Sequence, residues 1–351
     1  MPGRTWWAPR SPGTRANGRK PTDRTLHFSR RCVRRISAYR SLRKGEFIPP
    51  PRRRPPWGPV PIPWWLAPLS LIPRRSPRGS STLWKADTVR LVLCESAAET
   101  GQAAAAIFAA RIERGPCVLG LATGSSPLPV YRELIRRHRE ADLSFAECVA
   151  FTLDEYVGLQ PVDARSYRAT IRDEFADHVD LPVAALHSPD AADPDPQALH
   201  RAAAAYEETI RLAGGIDVQL LGIGANGHIG FNEPSSSLAS RTRIKALTQQ
   251  TREDNARFFG EDETVPKLCL TQGLGTIRDS RHAVLVAQGA KKADAVAAAV
   301  EGPVSAACPA SVLQMHPHAT VILDAAAASR LRNVDYYRHV QRLNDELGLL
   351  P

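Results

Sequence analysis

The chain has 351 residues, room for one large α/β domain or two smaller ones. Its 43% hydrophobic and 23% charged content is that of a globular protein, and no uninterrupted apolar run reaches the roughly 18–20 residues a membrane span needs. The net charge of +10 is uneven: residues 1–86 hold 20 Lys/Arg against Asp23 and Glu46, so the remaining 265 residues are acidic, at −8.

Residues 1–86 also hold all six tryptophans and 15 of the 29 prolines, which sets a composition boundary near Asp87. The segment shows neither helical nor strand period. Proline removes backbone donors and like charges repel, so no packed core is expected there. Its most apolar stretch, residues 59–73, contains five prolines and cannot be a continuous helix. The segment reads as a disordered extension or as sequence upstream of the true start. A nucleic-acid-binding domain is the weakest reading, since no helix-turn-helix pattern accompanies the arginines. The six cysteines, at 32, 94, 117, 148, 269 and 308, form no C-x-x-C pair. They read as reduced thiols of a cytoplasmic protein rather than a disulfide framework or zinc site.

From residue 87 on, short apolar runs alternate with helical patterns. Residues 89–94 read as a first strand and the Ala-rich residues 96–114 as a helix, with Glu99 early in it. Residues 117–122 read as a second strand, running into Thr123-Gly124-Ser125-Ser126-Pro127 and then a helix over 128–139. Strand, Gly/Ser turn and helix form an anion-binding arrangement, because backbone N–H groups and hydroxyls point at the helix N-terminus. The turn lacks the G-K-[ST] element of a nucleotide loop, so a monophosphate fits better. The bland alternative is an ordinary turn with a serine cap. Residues 148–153 read as a third strand, followed by Asp154-Glu155-Tyr156-Val157-Gly158-Leu159; two acids there suit catalysis or a solvated loop equally.

Residues 189–196 read as a loop and 197–212 as a helix. Residues 218–223 form a buried strand that ends in Gly222-Ile-Gly224-Ala-Asn226-Gly227-His228-Ile-Gly230-Phe-Asn232-Glu233-Pro234. Glycines let a backbone approach a ligand closely, and strand carboxyl ends are where open α/β sheets bind ligands. The glycine spacing is a poor dinucleotide fingerprint, because no helix pattern follows. Residues 251–259 read as a short helix, 267–271, 282–287 and 320–323 as strands, and 289–300 as the opening and body of a helix. The His316-Pro317-His318 pair has no carboxylate or cysteine cluster beside it and is not read as a metal site. Strand–helix alternation implies an α/β fold, an open, mostly parallel twisted sheet with helices on both faces. A single domain over 87–351 is expected.

The loop over 222–234 resembles the signature of the glucosamine-6-phosphate deaminases (glucosamine/galactosamine-6-phosphate isomerases). The block Phe151-Thr-Leu-Asp154-Glu-Tyr-Val-Gly-Leu159, followed by Ser166-Tyr167, resembles a second signature of that family, and Ser235 to Lys245 is similar as well. In order, these motifs extend over about residues 88–340. The resemblance implies conversion of glucosamine 6-phosphate and water to fructose 6-phosphate and ammonia in amino-sugar catabolism. It implies Thr123, Gly124, Ser125, Ser126, Arg257 and Lys292 around the phosphate, and a catalytic group of Asp154, Asn226, His228 and Glu233. Asp154 would move a proton between carbons 2 and 1, His228 would open the ring, and Glu233 would orient His228. Asn226 stands where enteric members have aspartate and can only orient. In hexameric members, residues matching Ser236, Ser237, Arg243 and Lys245 contribute to an allosteric phosphate site, so a homo-oligomer is an open expectation. No metal or organic cofactor is implied. A 6-phosphogluconolactonase-like hydrolase and a sugar-phosphate-sensing regulator are the competing readings on this fold. Asp154, His228 and Glu233 together favour the deaminase.

Overall fold

The computed structural model describes residues 89–260 and 263–348. The readings made for residues 1–86, Cys32 included, lie outside the described residues. The first half of the described chain runs β1 (Arg90–Cys94), α1 (Ala97–Ile112), β2 (Cys117–Leu121), α2 (Leu128–Glu140), β3 (Cys148–Thr152), β4 (Asp154–Tyr156), α3 (Tyr167–Glu174), β5 (Leu186–His187) and α4 (Pro196–Leu212). The second half runs β6 (Val218–Leu221), β7 (Arg243–Ala246), α5 (Gln249–Asn255), β8 (Leu268–Thr271), α6 (Leu274–Arg278), β9 (His282–Ala287), α7 (Ala293–Val300), β10 (Ala319–Asp324) and α8 (Val334–Glu346).

Seven strands form one sheet in the order β1-β10-β9-β6-β2-β3-β5, every pair parallel. Every residue of β2, β3, β6 and β9 is buried. Burial on both faces is what a parallel sheet needs, and it explains why these strands are continuous apolar runs rather than alternating ones. The chain moves from β2 outward to β3 on one side and from β6 outward to β9 on the other. The sheet therefore switches direction between β2 and β6, and the crevice beyond their carboxyl ends is where an open α/β sheet takes its ligand.

Some helix bounds differ from their sequence patterns. α1 starts one residue inside its cap, Ser96, whose hydroxyl accepts the Glu99 N–H at 3.2 Å, and it ends at Ile112, two residues before the pattern does. The stretch read as one helix over 251–259 is α5 followed by a 3₁₀ turn, Ala256–Phe258. Its start is set by Thr248, whose hydroxyl accepts the Thr251 N–H at 3.2 Å.

A second sheet lies outside the sequence expectation. β4, β8 and β7 pair antiparallel in the order β4-β8-β7, with Asp154 opposite Thr271 and Arg243 also opposite Thr271 on the other edge. The strand read over 267–271 thus joins this small sheet and not the parallel one. Residues 154–156, read as loop, are a strand. Three residues, two of them acidic, carry no apolar alternation, so only pairing with β8 makes them one.

Candidate functional site

A cavity of about 260 Å³ opens beyond the carboxyl ends of β2, β3, β6 and β9. Thr123, Gly124, Ser125 and Ser126 line it from the turn between β2 and α2. Lys292 lines it from a 3₁₀ turn, Ala290–Lys292, after β9, and Arg257 from the turn after α5. Arg257 lies over the Phe258 ring at 4.7 Å, a contact that restrains a planar guanidinium. Burial lowers the Lys292 pKa; Asp254 nearby raises it, and Arg257 and Lys291 add to the lowering. Two cations and a helix N-terminus facing one space favour a dianion. Inorganic phosphate or a sugar phosphate fits that end of the cavity.

Asp154 and Glu155, indistinguishable as neighbouring acids in sequence, have separate duties. Successive strand residues point to opposite faces. Asp154 is buried and lines the cavity. Burial first, and the Glu155 charge second, push its carboxyl up to about 8; the Phe231 N–H and the Thr271 hydroxyl pull the other way. Glu155 accepts N–H groups from Tyr156, Tyr167 and Arg168 at 2.9, 2.9 and 3.0 Å. It therefore holds the first turn of α3, and with it Tyr167 at the cavity wall.

The loop after β6 assembles His228, Asn226 and Glu233. The Asn226 NH₂ donates to Glu233 Oε2 at 2.7 Å, which leaves Asn226 Oδ1 facing His228 Nδ1, also at 2.7 Å. Nδ1 must then be the donor, and Nε2 becomes the basic nitrogen of the neutral ring. Glu233 Oε2 is 3.7 Å from His228 Nδ1, so the carboxylate orients the imidazole chiefly through the asparagine. Burial would raise the Glu233 carboxyl, but the polar neighbours His228, Thr251 and Asn226 hold it at about 2. Gly224 makes room for the ring: a Cβ there would sit 2.1 Å from His228 Cε1.

Asn226→Leu removes both halves of this bridge at once. We expect kcat to fall by about tenfold or more, and stability to fall by about 1–3 kcal/mol because buried Glu233 loses a donor. Steady-state kinetics beside urea denaturation checks both.

The structure thus brings Asp154, His228 and the six phosphate-type residues into one cavity, with Asn226 and Glu233 linked to His228. The other four sequence candidates stand outside the cavity lining. Ser236 is buried and donates to the Glu233 carbonyl at 2.6 Å; Ser237 is exposed. Arg243 donates to Asn232 Oδ1 at 2.9 Å, and Lys245 is half-buried on β7. Ser236 is therefore committed to holding the loop. Sequence reasoning missed Tyr156, Thr170, Glu174, Asp254 and Asn255, which also line the cavity. Tyr156 accepts from Asn255 at 3.0 Å and lies 3.2 Å from the Tyr167 hydroxyl. Nothing in their spacing distinguishes these residues from core aromatics and helix polar positions.

Residues 92–322 match the family described as glucosamine-6-phosphate isomerases/6-phosphogluconolactonase. The chain is 58% identical over 252 residues to a glucosamine-6-phosphate deaminase of Arthrobacter sp. (strain FB24), covering 72% of this chain and 96% of the relative. It is 56% identical over 256 residues to one of Mycolicibacterium smegmatis, covering 72% and 97%. Among solved structures, a monomeric glucosamine-6-phosphate deaminase superposes with a TM-score of 0.67 at 42% identity, covering 69% of this chain and all of that one. A 6-phosphogluconolactonase from Trypanosoma cruzi shares the fold, with a TM-score of 0.57 at 20% identity over 70% and 98%. Among the described residues no helix is long and apolar enough to cross a membrane.

Proposed function

The chain belongs to the glucosamine-6-phosphate isomerase/6-phosphogluconolactonase family, and from that premise we propose that it is a glucosamine-6-phosphate deaminase. The observation that carries the reading is Asp154, a buried carboxyl in the same cavity as His228 and Lys292. A buried acid, a basic imidazole and a dianion site are what this reaction needs within one sugar's length.

The 6-phosphate is held by the residue 123–126 turn, Arg257 and Lys292. His228 Nε2 moves the proton between O1 and O5 that opens the pyranose ring. Asp154 takes the proton from C2 and returns it to C1, giving an imine at C2. Water adds to that carbon and ammonia leaves, so glucosamine 6-phosphate and water become fructose 6-phosphate and ammonia. Positioned proton transfer of this kind contributes about 10²–10⁴ in rate. Asn226 and Glu233 act by orienting His228. One copy of the chain carries all of these residues, so the reading requires no oligomer. A free sugar phosphate as substrate and five described cysteines that are all free suit a cytoplasmic enzyme.

The test is release of ammonia and fructose 6-phosphate from glucosamine 6-phosphate by the purified chain. Equal amounts of both products support the reading. A folded protein that releases neither sinks it, and 6-phosphogluconolactone is then the next substrate to try. Within the reading, Arg257→Ala raises KM about tenfold or more and changes kcat less, because it weakens phosphate binding in ground and transition states alike. Weaker competitive inhibition by inorganic phosphate accompanies it.

A further inference from the structure

β8 does more than extend the small sheet. Thr271 stands opposite Asp154 in the β4–β8 pair; its hydroxyl accepts the Phe231 N–H at 3.1 Å and has the Gln272 carbonyl 3.3 Å away as an acceptor. Phe231 belongs to the loop that carries His228. At Gly230 in that loop, the position of an added Cβ lies 3.1 Å from Thr271 Oγ1 and 3.4 Å from Asp154 Oδ2, so the three meet at one point. The next residue repeats the connection. The Gln272 carbonyl accepts from Asn232 Nδ2 at 2.8 Å, and the Gln272 side chain donates to the Thr152 carbonyl at 3.0 Å. Thr271 and Gln272 therefore join the end of β3 and the start of β4 to the His228 loop, two segments far apart in the chain.

We propose that Thr271 is the positioning residue for Asp154: standing opposite it on β8 and bonded to the Phe231 N–H, it fixes the carboxyl group relative to the His228 loop. The proposal rests on the deaminase reading for its kinetic consequence, though not for its structural one. The other titratable groups around Asp154 are Glu155 on its own strand, Cys269 on β8, Tyr156, Tyr167 of α3 and Tyr206 of α4. His228 shares the cavity. The thiol and the three phenols are buried, and burial raises all of them. Thr271 is thus one of the few groups that favour the carboxylate.

Thr271→Val keeps the shape and removes the hydroxyl. In the full chain we expect kcat at neutral pH to fall about 10–100-fold with KM within about threefold, the signature of an interaction that serves the reacting proton. The acid limb of the kcat/KM profile moves up by about one pH unit or more. Thr271→Ser restores both. Carbon-13 NMR of labelled aspartate follows the Asp154 carboxyl without substrate, and it should titrate at higher pH in the valine variant. A folded Thr271→Val with unchanged kcat and unchanged Asp154 titration overturns the proposal, and so does a change in KM alone. If the valine variant does not fold, Thr271→Ala and Thr271→Ser are compared by the same two readouts. Failure of the wild-type chain to release ammonia speaks against the deaminase reading instead, and leaves the NMR test standing.

Discussion

Asp154→Asn abolishes turnover and spares binding. We expect kcat to drop by about 10²–10⁴, while the dissociation constant for glucosamine 6-phosphate stays within a few-fold, since the phosphate is held at the other end of the cavity. Loss of binding instead would contradict the role assigned to Asp154. The substitution has a second, opposite effect. A carboxyl with an ordinary value of 3.8 that burial pushes up to about 8 stays protonated in the folded chain across a range where the unfolded chain has released its proton. The stability this contributes is complete below about pH 4 and is lost as pH rises through about 8. Asparagine has no proton to lose. At pH 9 the variant is therefore more stable than the parent by on the order of a few kcal/mol, with little difference near pH 4. Urea denaturation at the two values decides it. The same group makes kcat/KM of the parent climb with pH toward about 8, because only the ionised carboxylate can take the C2 proton.

Gly224→Ala has the next largest expected effect. The new Cβ would lie 2.1–2.4 Å from three atoms of the His228 ring, and real structures do not tolerate such contacts. The ring must leave, and its 2.7 Å bond to Asn226 breaks. Misplacing a proton-transfer group by about 1 Å costs on the order of 10² in rate. We expect a loss of that size in kcat, with a smaller effect on inhibition by inorganic phosphate, because the clash falls on the His228 ring. A variant with full kcat would show that the ring can move without penalty and would remove His228 from the ring-opening step.

What could be read from sequence follows the physics of each element. The parallel strands are legible because burial on both faces leaves apolar runs, and their carboxyl-end loops are legible because glycine and polar residues interrupt those runs so sharply. Asp154 and His228 each stand at such an interruption. The small antiparallel sheet is not legible. β4 has no apolar alternation of its own and becomes a strand only by pairing with β8, a register fixed across a long stretch of chain. With β4 unread, the alternation that sends Asp154 into the cavity and Glu155 to the start of α3 is invisible, and so is the place of Thr271 opposite Asp154. The asparagine bridge is hidden for a different reason. Asn226 and Glu233 stand seven residues apart in a loop, and only the fold of that loop brings them to 2.7 Å.

The strand order also says something about how this protein is made. The strand partner of β1 is β10, and the Leu93 N–H and carbonyl of β1 pair with Gln341 of α8 at 2.9 and 3.3 Å. Among the described residues the first strand to be made is thus the last to find its partner, β10. An unpaired strand edge is an invitation to other nascent chains. Among the described residues, β1 has no strand to join until residue 319 and beyond have been made. The aggregation hazard of synthesis therefore centres on residues 90–94, outside the cavity lining.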